Sequence, residues 1–159
     1  MAFIDLFRLN EKNKLLYIFV LTIIFLFTDL NYAFSQSQNE LATIAEGSRY
    51  SSGVRRRAIN KLDPVIWKDL LVDIAKNDEN WEIRIEAVEK LTDQQILTRI
   101  AKNDKANYVR IAAAEKINNQ NFLADFLKQY CDIFWECKEL IAKITDQKIL
   151  ADIFIAKTL

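Results

Sequence analysis

The pentapeptide Ile74-Ala75-Lys76-Asn77-Asp78 returns 26 residues later as Ile100-Ala101-Lys102-Asn103-Asp104, with Arg84 returning as Arg110 and Glu89-Lys90-Leu91 as Glu115-Lys116-Ile117. A period of this size is too short for a domain, so each copy is a small supersecondary unit that buries its apolar side only against its neighbours. The echo continues on both sides. Leu91-Thr92-Asp93-Gln94-Gln95-Ile96-Leu97 is matched by Ile144-Thr145-Asp146-Gln147-Lys148-Ile149-Leu150, and Val54-Arg55 through Asn60-Lys61-Leu62 by Ile83-Arg84 through Glu89-Lys90-Leu91. Roughly four units fit between Gln38 and Leu159 at this period.

Each unit reads as two amphipathic helices of about three turns, an all-α fold. Ile66, Trp67, Leu70, Leu71, Ile74 and Ala75 form an apolar stripe of helical spacing. The second helix carries Ile83, Ala87, Val88 and Leu91, matched by Val109, Ala113, Ala114 and Ile117. Asp78, Asp93, Asp104 and Asp146 stand at or just before the apolar runs, where a short side-chain oxygen accepts from unpaired first-turn N–H groups. Asp63-Pro64 opens the helix through Ala75 in the same way. With two glycines and one proline in 159 residues, long flexible linkers and hairpin turns are nearly excluded.

The pattern Asn-Asp, then Val or Ile followed by Arg, then small residues, then Lys-Leu resembles the short HEAT-like repeats of bacterial proteins related to the phycobilin lyases, over about 100 residues. The resemblance implies an α-solenoid of about four helix pairs over residues 36–159. It also implies a polar ladder between units, in which a turn aspartate meets an arginine six residues later; Asp78 with Arg84 and Asp104 with Arg110 fit. The first unit keeps Arg55 but has Arg49 where the aspartate belongs, and the fourth has Glu136-Cys137 where Val109-Arg110 would recur. Such a fold hosts many unrelated activities.

The amino-terminal segment is of another kind. After Lys12 and Lys14, the stretch Leu15 to Phe27 has only Thr22 as a polar residue, and Thr28-Asp29 ends it. A spanning helix needs about 20 apolar residues and a signal-peptide core about 7 to 15. Ala33-Phe34-Ser35 places small residues at both cleavage-defining positions, so residues 1–35 are expected to be a signal peptide cut after Ser35, with the protein exported to the periplasm or beyond; an uncleaved membrane anchor facing the envelope is the alternative. Cleavage removes as many bases (Arg8, Lys12, Lys14) as acids (Asp5, Glu11, Asp29), leaving the net charge at zero.

That balance argues against nucleic acid, whose binding domains are usually basic. The run Arg55-Arg56-Arg57 is read as a solvated helix face plus one ladder arginine. Cys131 and Cys137 form a disulfide in an oxidising compartment if Asp132 starts a new helix between them; otherwise they are two buried thiols. Without histidine there is no His-based triad, two cysteines alone make a poor zinc site, and no glycine-rich phosphate loop is present. Glu86 and Glu89 share a helical face but read as solvated surface. No enzymatic activity, cofactor, metal or small-molecule substrate is expected.

What remains is the outward side of each second helix: Arg56, Arg57 and Asn60; Ile85, Glu86 and Glu89; Ile111, Ala112 and Glu115; Lys138, Glu139 and Ala142. Ile85 and Ile111 either receive a partner's side chains or pad the seam between helices. Tyr108, and Trp135 one column on, are aromatic residues of the sort enriched at interfaces, although Trp135 also suits the core. The expectation is an exported scaffold that binds a protein or peptide on this face. An accessory factor holding a substrate protein for a modifying enzyme, and a structural envelope component, are the alternatives. At the carboxyl end Phe154 and Ile155 stand where internal units have Ala101 and Lys102, either as a cap or as a patch for self-association.

Overall fold

A computed structural model of the chain describes residues 10–130 and 137–158, and every regular element among them is an α-helix. Two parts separate, Met1–Glu40 and Leu41–Leu159. Apart from Asn10, the described residues of the first belong to helix α1, Glu11–Glu46. Its Leu, Ile, Val and Phe side chains from Leu15 to Leu30 all stand exposed. The hydroxyl groups in this apolar run bond within the helix, Thr22 Oγ1 donating to the Ile18 and Phe19 carbonyls (3.0 and 2.8 Å) and Thr28 Oγ1 to Phe25 (2.7 Å). By length and composition Asn13–Glu46 is able to cross a membrane, and the helix runs unbroken through Ala33-Phe34-Ser35.

In the second part the end of α1 is followed by α2 (Ser52–Lys61), α3 (Lys68–Asn77), α4 (Trp81–Lys90), α5 (Gln94–Asn103), α6 (Asn107–Glu115), α7 (Gln120–Tyr130), α8 (Lys138–Ala142) and α9 (Gln147–Thr158). Consecutive helices pair as α3 with α4 and α5 with α6, and α7 touches both α8 and α9. The second members of the pairs pack side by side, α2 on α4, α4 on α6 and α6 on α8. One set of columns makes the core. Leu71, Leu97 and Leu123 are fully buried, as are Ile83 with Val109, Ala87 with Ala113, and Val88, Ala114 and Leu140. Each column is an apolar position of the repeat, so neighbouring units bury the same stripes one after another.

The helix starts depart from expectation in two places. Asp63 accepts from the N–H groups of Val65 (2.8 Å) and Ile66 (3.2 Å), closing a turn ahead of α3, so the helix begins at Lys68 and Ile66 stands exposed rather than on the buried stripe. Asp93 and Asp146 do cap, taking the N–H groups of Gln95 and Ile96 and of Lys148 and Ile149. Asp78 and Asp104 instead brace the turn inside a unit, accepting from Asn80 N–H (2.9 Å) and Ala106 N–H (2.8 Å), and Asn80 caps α4. Gly47 sits where α1 ends; a Cβ there would lie 2.8 Å from the Tyr50 ring and 3.0 Å from the Thr43 carbonyl. Cys137 is buried and disulfide-bonded, while Cys131, Asp132, Trp135 and Glu136 lie outside the described residues.

Candidate functional site

The polar ladder holds the second helices in register. Arg84, 1% exposed, lies between two units. Its Nη1 donates to the carbonyls of Asp78 (2.8 Å) and Glu79 (3.2 Å) in its own turn, while Nε and Nη2 donate to the two Asp104 carboxylate oxygens of the next unit, both at 2.8 Å. The expected partners Asp78 and Arg84 thus meet through a carbonyl, and the carboxylate bond spans units. Arg55 repeats the inter-unit half, bonding the Asp78 carboxylate, and replaces its missing turn aspartate with the Ala45 carbonyl (2.8 Å). Among the described residues Arg110 keeps the local half, to the Asp104 carbonyl (2.8 Å) and Asn107 Oδ1 (3.2 Å), with its guanidinium 5.0 Å from the Tyr130 ring centre.

Two further ladders run at the other end of the second helices. Lys90 Nζ donates to the Asn60 carbonyl, Lys116 Nζ to Glu89 (2.8 Å) and Lys143 Nζ to Glu115 and to Ile117 (2.9 Å). Each lysine caps the last carbonyls of the preceding unit, where the helix end is negative. The amide of Gln94 donates to the Lys116 carbonyl (3.1 Å) and accepts from Asn118 N–H (3.1 Å); Gln120 does the same with Lys143 (3.2 Å) and Thr145 (3.0 Å). At the equivalent position of the earlier unit, Lys68 makes an ion pair with Asp93 (3.3 Å). The Glu-Lys-Leu echo and the 26-residue spacing of Lys68, Gln94 and Gln120 carried these ladders in the sequence, and sequence reasoning missed them.

The outward residues sort differently from the expected basic-to-acidic gradient. Arg56 Nε donates to Glu86 Oε2 at 2.8 Å, and Asn60 donates to the other oxygen, so the basic and acidic units neutralise each other. The Glu86 hydrogen bond and charge hold the Arg56 guanidinium above its usual range. Arg57 is exposed beside Leu41, Ile44, Val54, Ala58 and Lys61 in a shallow groove. Ile85 is half-buried. Ile111 and Ala112, each 8% exposed, belong to the core instead of the outward face, and Ile85 packs against that core, which favours the seam-filling alternative for the stripe expected of Ile85 and Ile111.

Tyr108 is 60% exposed, and its ring lies 5.3 Å from that of Trp81, itself 42% exposed, at the amino ends of α6 and α4. Trp81 was not singled out in the sequence, though a tryptophan opening a charged helix is the available signal. At the carboxyl ends of the same helices Glu89 is exposed and 3.8 Å from Lys116, and Glu115 is partly buried. Burial, then the charges of Glu89 and Glu139, push the Glu115 carboxyl up, with Lys143 opposing. Phe154 and Ile155 are 52% and 59% exposed on α9, whose Ile153 is buried.

No protein-family model, curated protein or solved structure matches this chain.

Proposed function

We propose that Leu41–Leu159 is a HEAT-like α-solenoid of about four helix pairs that binds a protein or peptide partner along the outward side of its second helices. The observation that carries this reading is the exposed Trp81–Tyr108 pair on two helices packed side by side. Paired aromatic rings left in water lose the burial that such side chains otherwise gain, and aromatic residues dominate the energetic centres of interfaces. Site-specific photo-crosslinking in the native host tests it. A photoreactive residue at Tyr108 is expected to give a protein adduct that the same residue at Asp73, on α3, does not give. No adduct from Tyr108, Trp81 or Glu82 refutes the reading.

We place the protein in the envelope, directed there by α1 and cut after Ser35. The unbroken helix through Ala33-Phe34-Ser35 favours a second reading, a retained anchor, since helical hydrogen bonds must open before a protease reaches that peptide bond. The amino terminus of protein isolated from the host, read by mass spectrometry, separates the two: Gln36 for cleavage, Met1 for the anchor.

A further inference from the structure

We propose that the partner segment carries an aromatic or aliphatic side chain for the Trp81–Tyr108 pair and, about 10 Å further on, a lysine or arginine for Glu115, the distance set by seven helical residues at 1.5 Å each. This rests on the reading of α4 and α6 as one binding face. The two helices pack with amino end beside amino end, since Trp81 meets Tyr108 at one end and Lys116 meets Glu89 at the other. On α6, Tyr108 and Glu115 lie two helical turns apart along one side, with Ala112 buried between them, so the exposed aromatic pair and the carboxylate stand at the two ends of one strip.

Charge complementarity selects the occupant's sign. The neighbouring carboxylates each have a cation within 4.0 Å, Glu89 with Lys116 and Glu139 with Lys138 (both 3.8 Å) and Glu86 with Arg56, whereas Lys143, which opposes the like charge at Glu115, spends its hydrogen bonds on the Glu115 and Ile117 carbonyls. Among the described residues the Glu115 carboxylate has no hydrogen bond and no ion pair within 4.0 Å, and Glu89 and Glu139 add like charge around it. An incoming ammonium or guanidinium relieves that repulsion, whereas an acidic segment adds to it. In an extended segment at about 3.3 Å per residue, an anchor at one position and a cation three positions on span the strip.

The test uses the full chain in non-ionic detergent micelles and three fluorescein-labelled dodecapeptides of glycine and serine. One bears Phe with two Lys beginning three residues on, one Phe with two Glu there, and one Ser with two Lys. Fluorescence anisotropy should show the Phe/Lys peptide binding at least about tenfold more tightly than either other, the equivalent of one favourable charge contact or one seated aromatic. Glu89→Gln with Glu115→Gln should narrow the Lys-over-Glu preference to under about threefold, and Trp81→Ala with Tyr108→Ala should abolish binding, with far-UV circular dichroism unchanged in both. Equal binding of the Phe/Glu peptide, lost in the Trp81/Tyr108 variant, overturns the cation requirement and leaves the face standing. Binding that survives the Trp81/Tyr108 variant, or no peptide binding at all, overturns the proposal; the face itself falls only if Tyr108 also yields no crosslink.

Discussion

Arg84→Met removes the guanidinium that joins two units and nothing else of comparable size. The side chain is 1% exposed and its carboxylate partner Asp104 5% exposed, so the pair is shielded from water. Methionine fills the volume of the stem but, among the described residues, leaves the Asp104 carboxylate with the Ala106 N–H at 2.8 Å alone, and takes the Arg84 donor from the Asp78 carbonyl. Stranding one member of a buried ion pair costs about 3–5 kcal/mol. Arg110→Met strands no carboxylate among the described residues, losing two hydrogen bonds to the Asp104 carbonyl and Asn107, and should cost about 1–2 kcal/mol. Arg56→Met breaks an exposed, solvent-screened pair and should cost the least of the three. Urea denaturation of the full chain in detergent, followed by circular dichroism, gives the three values. Adding Asp104→Asn to Arg84→Met should cost less than the sum of the separate changes, since both buried charges then leave together. A loss at Arg84 no larger than the loss at Arg110 would refute the claim that the inter-unit carboxylate bond is the strong element.

Glu115 titrates above the ordinary glutamate value, chiefly through burial. The folded state therefore holds a proton that the unfolded state has released, and stability falls as pH rises from about 4.3 through the raised value. Glu115→Gln should remove that fall, melting above the wild type at pH 8 and level with it at pH 4; a wild type more stable than the variant at pH 8 refutes the assignment. Gly47→Ala should cost about 1–3 kcal/mol by urea denaturation, because the new Cβ meets the Tyr50 ring and the Thr43 carbonyl, while Gly53→Ala, with nothing within 4 Å, should stabilise α2 by up to about 1 kcal/mol. Equal effects at the two glycines contradict this. We also propose self-association through the exposed Phe154 and Ile155. Sedimentation of the full chain in detergent should show a species larger than one protomer that Phe154→Ser with Ile155→Lys reduces to one, and a wild type that is monomeric at every concentration removes the idea.

The helices and their pairing were legible because the repeat writes each core position more than once. Leu71 alone is one leucine among many, but Leu71, Leu97 and Leu123 at a fixed spacing declare a column. Arg84 and Asp104 were legible for the same reason, as polar residues recurring among apolar ones. Which carboxylate each arginine bonds was not, because Asp78 is near Arg84 in sequence and Asp104 is near it only after the units stack. Ile111 was misplaced outward because helical spacing fixes an angle on the helix and not how closely the neighbouring helix approaches. Trp81 escaped notice because no second tryptophan repeats it, and its partner Tyr108 lies one position off the strict period, at 27 residues. The α3 start failed on local chemistry, as Asp63 spends its carboxylate on a turn before the helix rather than on the helix itself.

The three ladders attach at opposite ends of the second helices and run in opposite senses, and this bears on the binding face. The arginine of one unit reaches forward to the next turn aspartate, near the amino ends where Trp81 and Tyr108 meet. The lysine reaches back to the preceding helix's last carbonyls, near the carboxyl ends that carry Glu89 and Glu115, and the glutamine clips the following loop there. A single tie would leave α6 free to swing or slide against α4. Ties at both ends, in both senses, fix rotation and register together. A shift by one helical residue, about 1.5 Å, would already misalign the aromatic pair and the carboxylates relative to a bound segment, and preorganised groups lose their advantage at such displacements. If the proposed face binds a segment through Trp81, Tyr108, Glu89 and Glu115, the ladder residues would act on that binding without touching the partner, and weakening the ladder at Arg84 should loosen binding as well as folding.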